Sequence, residues 1–215
     1  MSAGLALRRA PARVRDLVIA GWTGRDAAAV ERHIAELQAL GVPRPASVPV
    51  YYRAGSVLLT TDEEIDVAGP DTSGEVECVL FALEDGLWVG AGSDHTDRRL
   101  ETFDVALSKQ VCPKPVAPDL WRFDEVADHW DRLVLRSFAG GALYQEGSVA
   151  ALRRPDDLVR ARFGGPMPAG TALFCGTVPA RGGVRGAERF EFELHDPVLG
   201  RTIRHGYSVR VLPLP

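Results

Sequence analysis

The chain has 215 residues, 46% of them apolar and 25% charged, with a formal net charge of −4. That is enough sequence to bury a substantial core, and the composition excludes a disordered chain. The acidic balance offers no electrostatic basis for binding nucleic acid or an anionic membrane, and no apolar run reaches the roughly 20 residues of a membrane span.

Residues 1–16 carry Arg8, Arg9, Arg13 and Arg15 and no acid before Asp16, which reads as a flexible basic arm. Residues 13–20 then form an apolar run with strand character, closed by Gly21-Trp22-Thr23-Gly24. Asp26 or Thr23 can cap a helix running to about Leu40, with Val30, Ile34, Leu37 and Leu40 on one face and Gly41 and Pro43 as its stop. Apolar runs follow at 48–52 and 56–59, and 71–89 reads as a hairpin turning at Glu84-Asp85-Gly86. Residues 102–109 fit either a helix or an irregular connection, and Pro113, Pro115 and Pro118 keep the next stretch extended. A second hairpin turns at Gly140-Gly141, a short helix begins at Pro155, and strands at 171–177, 189–195 and 202–211 finish the chain. The pattern is α+β and β-rich, without the regular alternation of a doubly wound sheet.

The acids Glu75 and Glu77 open the strand-like run 75–83. Side chains alternate along a strand, so Glu75, Glu77, Val79, Phe81 and Leu83 share one face, and Val76, Cys78 and Leu80 the other. Two acids at the mouth of a face that turns apolar repel each other and lose hydration. With Asp94 they form an oxygen-only set suited to Mg²⁺ or Mn²⁺. Of 25 basic residues only Lys109 and Lys114 are lysines, which marks them for work that an always-charged guanidinium cannot do. On the first helix His33 and Glu36 are three apart, so the carboxylate can orient the imidazole as a general base. Gly176-Thr177 ends a strand where a backbone amide could hold a carboxylate or oxyanion.

Two other clusters read as surface. Glu191, Glu193 and His195 repeat the carboxylate spacing, but Phe190, Phe192 and Leu194 alternate with them as in a half-exposed strand. Asp124, Asp128, His129 and Asp131 belong to a polar stretch that reads as solvated. Cys78, Cys112 and Cys175 are odd in number and widely spaced, which points to reduced thiols in a cytoplasm and not to a disulfide framework or a zinc site.

Taken in order, these signals resemble the fumarylacetoacetate hydrolase superfamily. His33 and Glu36 match its His-x-x-Glu dyad, and Glu75 and Glu77 its acidic strand. Ser93-Asp94-His95-Thr96-Asp97-Arg98 stands at the Asn-Asp-x-Ser-Ala-Arg-like segment, and Ser108-Lys109 at the Gly-Lys-Ser-Phe-like one. Tyr144-Gln145-Glu146-Gly147-Ser148 resembles the Val-Gln-Asp-Gly-Asn element, Gly176-Thr177 the Gly-Thr-Pro-Ala-Gly turn, and residues 199–203 the final hairpin. His95 and Asp97 depart from the small residues of that pattern, Glu101 from its glutamine, and Arg53 stands where a lysine is common.

The resemblance implies one domain over 1–215, a mixed β-roll with a few short helices, and a cytoplasmic homodimer. It implies Mg²⁺ or Mn²⁺ on Glu75, Glu77 and Asp94, catalysis by His33, Glu36 and Lys109, and a small carboxylate substrate bound by Arg53, Arg98, Gly176 and Thr177. The expected reaction is hydrolysis of a C–C bond in a 2-oxo or β-dicarbonyl acid. Alternatives are decarboxylation, dehydration or isomerisation of a similar acid, or a non-catalytic binding protein on the same fold.

Overall fold

A computed structural model describes residues 5–7, 10–39 and 44–213 of the chain. Strand β1, Asp16–Gly21, leads into helix α1, Ala27–Ala39, and then β2, Val50–Ala54. Asp26 caps α1 by accepting from the amides of Ala28 and Ala29, which settles the choice between it and Thr23. Leu40, Gly41 and Pro43, read as the end of that helix, lie outside the described residues, as do Arg8 and Arg9. Within the segment read as a flexible arm, Leu5–Leu7 and Ala10–Ala12 pair antiparallel.

Strand β3, Glu64–Ala68, precedes the hairpin of β4, Val76–Leu83, and β5, Gly86–Ser93. Two short helices follow, α2, Arg98–Glu101, and α3, Val105–Gln110, capped by the carboxylates of Asp97 and Asp104. Next come β6, Trp121–Arg122, α4, Asp124–Ala127, the hairpin of β7, Val134–Ala139, and β8, Ala142–Ser148, and then α5, Pro155–Phe163. The chain closes with β9, Thr171–Thr177, β10, Arg189–Asp196, and β11, Arg201–Leu212.

These strands build two mixed sheets. One has the order β6-β5-β4-β9-β1-β2 and is antiparallel except where β9 meets β1. The other has the order β8-β7-β10-β11-β3 and is antiparallel except where β11 meets β3. The main core lies between them. Val18, Val76, Cys78, Leu80 and Leu173 of the first sheet share it with Leu135, Phe192, Leu194, Ile203 and Tyr207 of the second. The outer face of the six-stranded sheet has a smaller core of Leu17, Ile19, Val79, Phe81, Trp88 and Phe174. Thus β4 is buried on both sides, and its alternation divides the two cores as the spacing predicts. Full burial of the aliphatic and aromatic side chains here stabilises the fold by about 1.5–3 kcal/mol each. The Glu77 carboxylate, on the same face as Val79 and Phe81, is therefore buried away from water.

Candidate metal centre

Hairpin register creates the cluster. Val76 pairs with Ser93 and Glu77 with Gly92, and the amide of Asp94 donates to the carbonyl of Glu75 at 2.9 Å. Glu75 and Asp94 are thus the next rung of the ladder, and residues opposite one another point to the same face. All three carboxylates therefore share the outer face of two adjoining strands. The segment holding α2 and α3 returns to this end of the sheet, since α3 contacts β2 and the Thr96–Asp97 strand, which pairs with Thr72–Ser73.

Both lysines reach Asp94. The Lys109 ammonium donates to Asp94 Oδ2, and Lys114 Nζ lies 3.3 Å from Oδ1. Lys114 Nζ also donates to the carbonyls of His95 at 2.5 Å and Cys112 at 3.0 Å. The parallel pairing of Lys114–Pro115 with Leu59–Thr60 fixes its backbone there. Burial opposes ionisation of Asp94, but the two ammonium groups outweigh it and hold the carboxyl below its ordinary range. Burial also pulls Lys109 down, yet Asp94 and Glu75 more than reverse this and raise its pKa. Burial, with the Lys109 charge adding to it, leaves Lys114 below its usual value despite Asp94.

Glu77 is treated differently. Burial, then the negative charge of Asp94, push its carboxyl well above the usual range, and Lys109 only partly offsets them. Among the described residues its hydrogen bond comes from the Gly176 amide, 2.6 Å from Oε2. Gly176 has φ +99°, and a Cβ there would lie 1.7 Å from Thr23 Oγ1, so position 176 requires glycine for both backbone and space.

Gly176 and Thr177, read as substrate-binding, are engaged in the protein itself. The Gly176 amide serves Glu77, and the Thr177 hydroxyl donates to the Val76 carbonyl at 2.7 Å. Gln145 completes this support: its Nε2 donates to Thr177 Oγ1 and the Val178 carbonyl, and its Oε1 accepts from the Val76 amide and Ser137. All four hydrogen bonds of a buried amide are satisfied, which ties the two sheets together behind Glu77.

Arg98 joins the cluster. Its Nε donates to Ser73 at 2.7 Å, Nη1 to Glu101 at 2.8 Å, and Nη2 lies 3.4 Å from Glu75. Burial works against its charge, but Glu75 and Glu101 raise its pKa further. Arg53 is not brought in. It pairs with Asp16 at 2.6 Å, both side chains being largely exposed, and it shares the face of its neighbour Val18. His33 and Glu36 lie on α1, but their side chains are outside the described residues.

Departures beside the acids acquire structural roles. Asp97 caps α2 and Glu101 pairs with Arg98. His95 is fully buried, with Nδ1 2.9 Å from the Tyr207 hydroxyl and Nε2 2.9 Å from Thr72 Oγ1. Burial, then the charges of Lys114 and Arg98, push its pKa down to about 3, so the ring is neutral. Sequence reasoning missed Tyr52 and Trp22. The Tyr52 ring centroid lies 5.8 Å from Lys109 Nζ, and Trp22, left-handed at φ 58°, shares a hydrogen bond with Tyr52. A non-glycine residue in that conformation is a signal of strain invisible to pattern reading.

Among the described residues, no group of three His, Cys, Asp or Glu side chains is closed on a common point in the manner of a metal site. The donor chemistry nonetheless fits a hard divalent cation. The set is all oxygen, Asp94 Oδ1 is buried with no hydrogen-bond partner among the described residues, and Glu77 has like charges for neighbours.

The sequence profile of the family described as "Protein of unknown function (DUF2848)" matches residues 20–207. The chain belongs to that family. No curated protein matches the sequence. Solved structures give the architecture: 5-carboxymethyl-2-hydroxymuconate delta-isomerase from Mycobacterium smegmatis aligns with TM-score 0.71 and 15% identity, over 98% of this chain and 83% of that one. A fumarylacetoacetate hydrolase family protein of yeast aligns with TM-score 0.70 and 15% identity, over 94% and 95%. A 2-keto-3-deoxyarabinonate dehydratase aligns with TM-score 0.67 and 17% identity, over 94% and 75%. This DUF2848 chain therefore has the fumarylacetoacetate hydrolase fold, as the order of its motifs predicts. No helix among the described residues is long and apolar enough to cross a membrane.

Proposed function

We propose that the chain is a divalent-metal-dependent enzyme that hydrolyses a C–C bond in a small 2-oxo or β-dicarbonyl acid. The observation that carries this reading is the convergence of Glu75, Glu77 and Asp94 on one sheet face around the Lys109 ammonium. These carboxylates would hold Mg²⁺ or Mn²⁺, which when bound supplies a Lewis acid for the carbonyl oxygens of the substrate. The remaining work falls to side chains. Lys109, once released from Asp94, provides a charged donor for the oxyanion that develops as the C–C bond breaks. The Tyr52 ring, 5.8 Å from the ammonium, would shield it from water. Arg98, whose Nη2 has no hydrogen-bond partner among the described residues, is assigned to the substrate carboxylate together with the Gly176-Thr177 turn, whose first duty is to orient Glu77. His33, with Glu36 three residues further along the sequence, is the assigned base for water.

Glu77→Ala tests the assignment. Metal-dependent loss of acylpyruvate absorbance should vanish in the variant while its melting temperature stays within a few degrees; unchanged turnover would sink the site.

A non-catalytic binding protein is the second reading. It is favoured by one observation, that two ammonium groups already face Asp94. Oxalate binding by the metal-loaded chain with no turnover across a panel of 2-oxo acids would decide for it.

A further inference from the structure

We infer that Lys114 is a permanent internal counter-ion of Asp94 that weakens binding of a lone metal ion and makes cation and anionic substrate enter together. This inference rests on the metal-site reading above and deepens it. The two lysines facing Asp94 are not equivalent. The Lys109 side chain is 8% exposed and is held by Asp94 beside the Tyr52 ring. The Lys114 side chain is 0% exposed, and three oxygens surround its Nζ: the carbonyls of His95 and Cys112 and Asp94 Oδ1. Two of these, backbone carbonyls that cannot swing away, take hydrogen bonds from the ammonium, and Asp94 Oδ1 is its ion-pair partner. Lys109 can therefore yield to a metal, whereas Lys114 stays.

Charge counting gives the consequence. Glu75, Glu77 and Asp94 face Arg98, Lys109 and Lys114, three acids against three bases, and Arg98 is shared with Glu101. A divalent cation added to this set meets a resident positive charge that a purely carboxylate site would lack. In a buried site such like charges interact strongly. A bidentate anion arriving with the metal restores the balance. Asp94 Oδ1, turned toward Lys114 and without a hydrogen bond among the described residues, is the atom through which the lysine acts.

The test is calorimetric titration of Mn²⁺ into metal-stripped wild type and Lys114→Met, each with and without oxalate. In wild type, oxalate should tighten Mn²⁺ binding at least about tenfold; Lys114→Met should bind Mn²⁺ alone about tenfold tighter than wild type and respond less to oxalate. Equal Mn²⁺ affinities in the two proteins overturn the inference and leave the metal site standing. No Mn²⁺ binding by wild type, even with oxalate, overturns the metal site and this inference with it. If Lys114→Met does not fold, Lys114→Gln removes the charge and keeps a donor for the carbonyls. Wild type needs no variant: Mn²⁺ binding that oxalate leaves unchanged overturns the inference.

Discussion

Two strands of this molecule carry Glu-x-Glu, and they end differently. Glu75 and Glu77 precede and enter β4, while Glu191 and Glu193 lie in β10 of the other sheet. Glu77 and Glu193 are both buried. Glu193 is held by two guanidinium groups: Arg136 donates to Oε1 at 3.0 Å and Arg204 to Oε2 at 2.6 Å. Burial opposes its ionisation, yet those arginines bring its pKa below the ordinary value. Glu77 has one backbone amide, two carboxylates and the Lys109 ammonium near it; burial and the Asp94 charge prevail, and its pKa rises. Forked guanidinium groups saturate a carboxylate and close it. Around Asp94 lysines do the pairing, and one oxygen keeps no hydrogen bond among the described residues. Burial and spacing alone do not distinguish a structural acid from a candidate ligand; the chemistry of the partner does.

Substitutions can break that contrast, and the largest effect is expected at Asp94. Asp94→Ala strands two buried ammonium groups, so it should lose Mn²⁺ binding and about 3–5 kcal/mol of stability, read from urea unfolding of the metal-free protein. A loss below about 1 kcal/mol would show that the lysines do not depend on it.

The next effect is at the closed acid. Glu193→Gln should cost about 1.5–3 kcal/mol at neutral pH while leaving Mn²⁺ binding intact. The sign of its pH dependence follows from the lowered pKa. The unfolded chain binds the proton more readily, so this stability is present above the ordinary value of 4.5 and is lost as pH falls through the folded pKa. Wild type and variant should therefore converge in acid, and parallel pH curves would contradict the pairing.

His95 gives a related test within the first cluster. Its folded pKa of about 3 lies below the ordinary 6.5, so its contribution is full above 6.5 and is lost as pH falls toward 3. His95→Asn should flatten that part of the stability curve. The smallest effect is at Arg53, whose exposed pair with Asp16 is worth about 0–1 kcal/mol. Arg53→Ala should leave turnover unchanged, and a large loss of kcat/KM would restore it to the site.

Much of the fold was legible because it rests on local rules. The faces of β4, the Asp26 cap, the hairpins at Glu84-Asp85-Gly86 and Gly140-Gly141, and the helix from Pro155 all follow from periodicity and turn chemistry. The helical alternative for residues 102–109 is realised as α3 because Asp104 caps it. Arg53, read as substrate-binding by analogy with a lysine, pairs with Asp16; on an edge strand, one residue's alternation turns it to the other face from Tyr52.

Sequence by itself singled out the candidate residues: two acids at strand spacing together with Asp94, and two lysines in an arginine-rich chain. Tertiary structure alone decided how they meet. Hairpin register set Asp94 opposite Glu75, and the return of α3 and of the Lys114–Pro115 strand brought two ammonium groups to one carboxylate. The physical reason is range. Periodicity and capping act over a few residues, whereas the charge state of Glu77 depends on groups 17 to 99 residues away, which only the packed chain brings together.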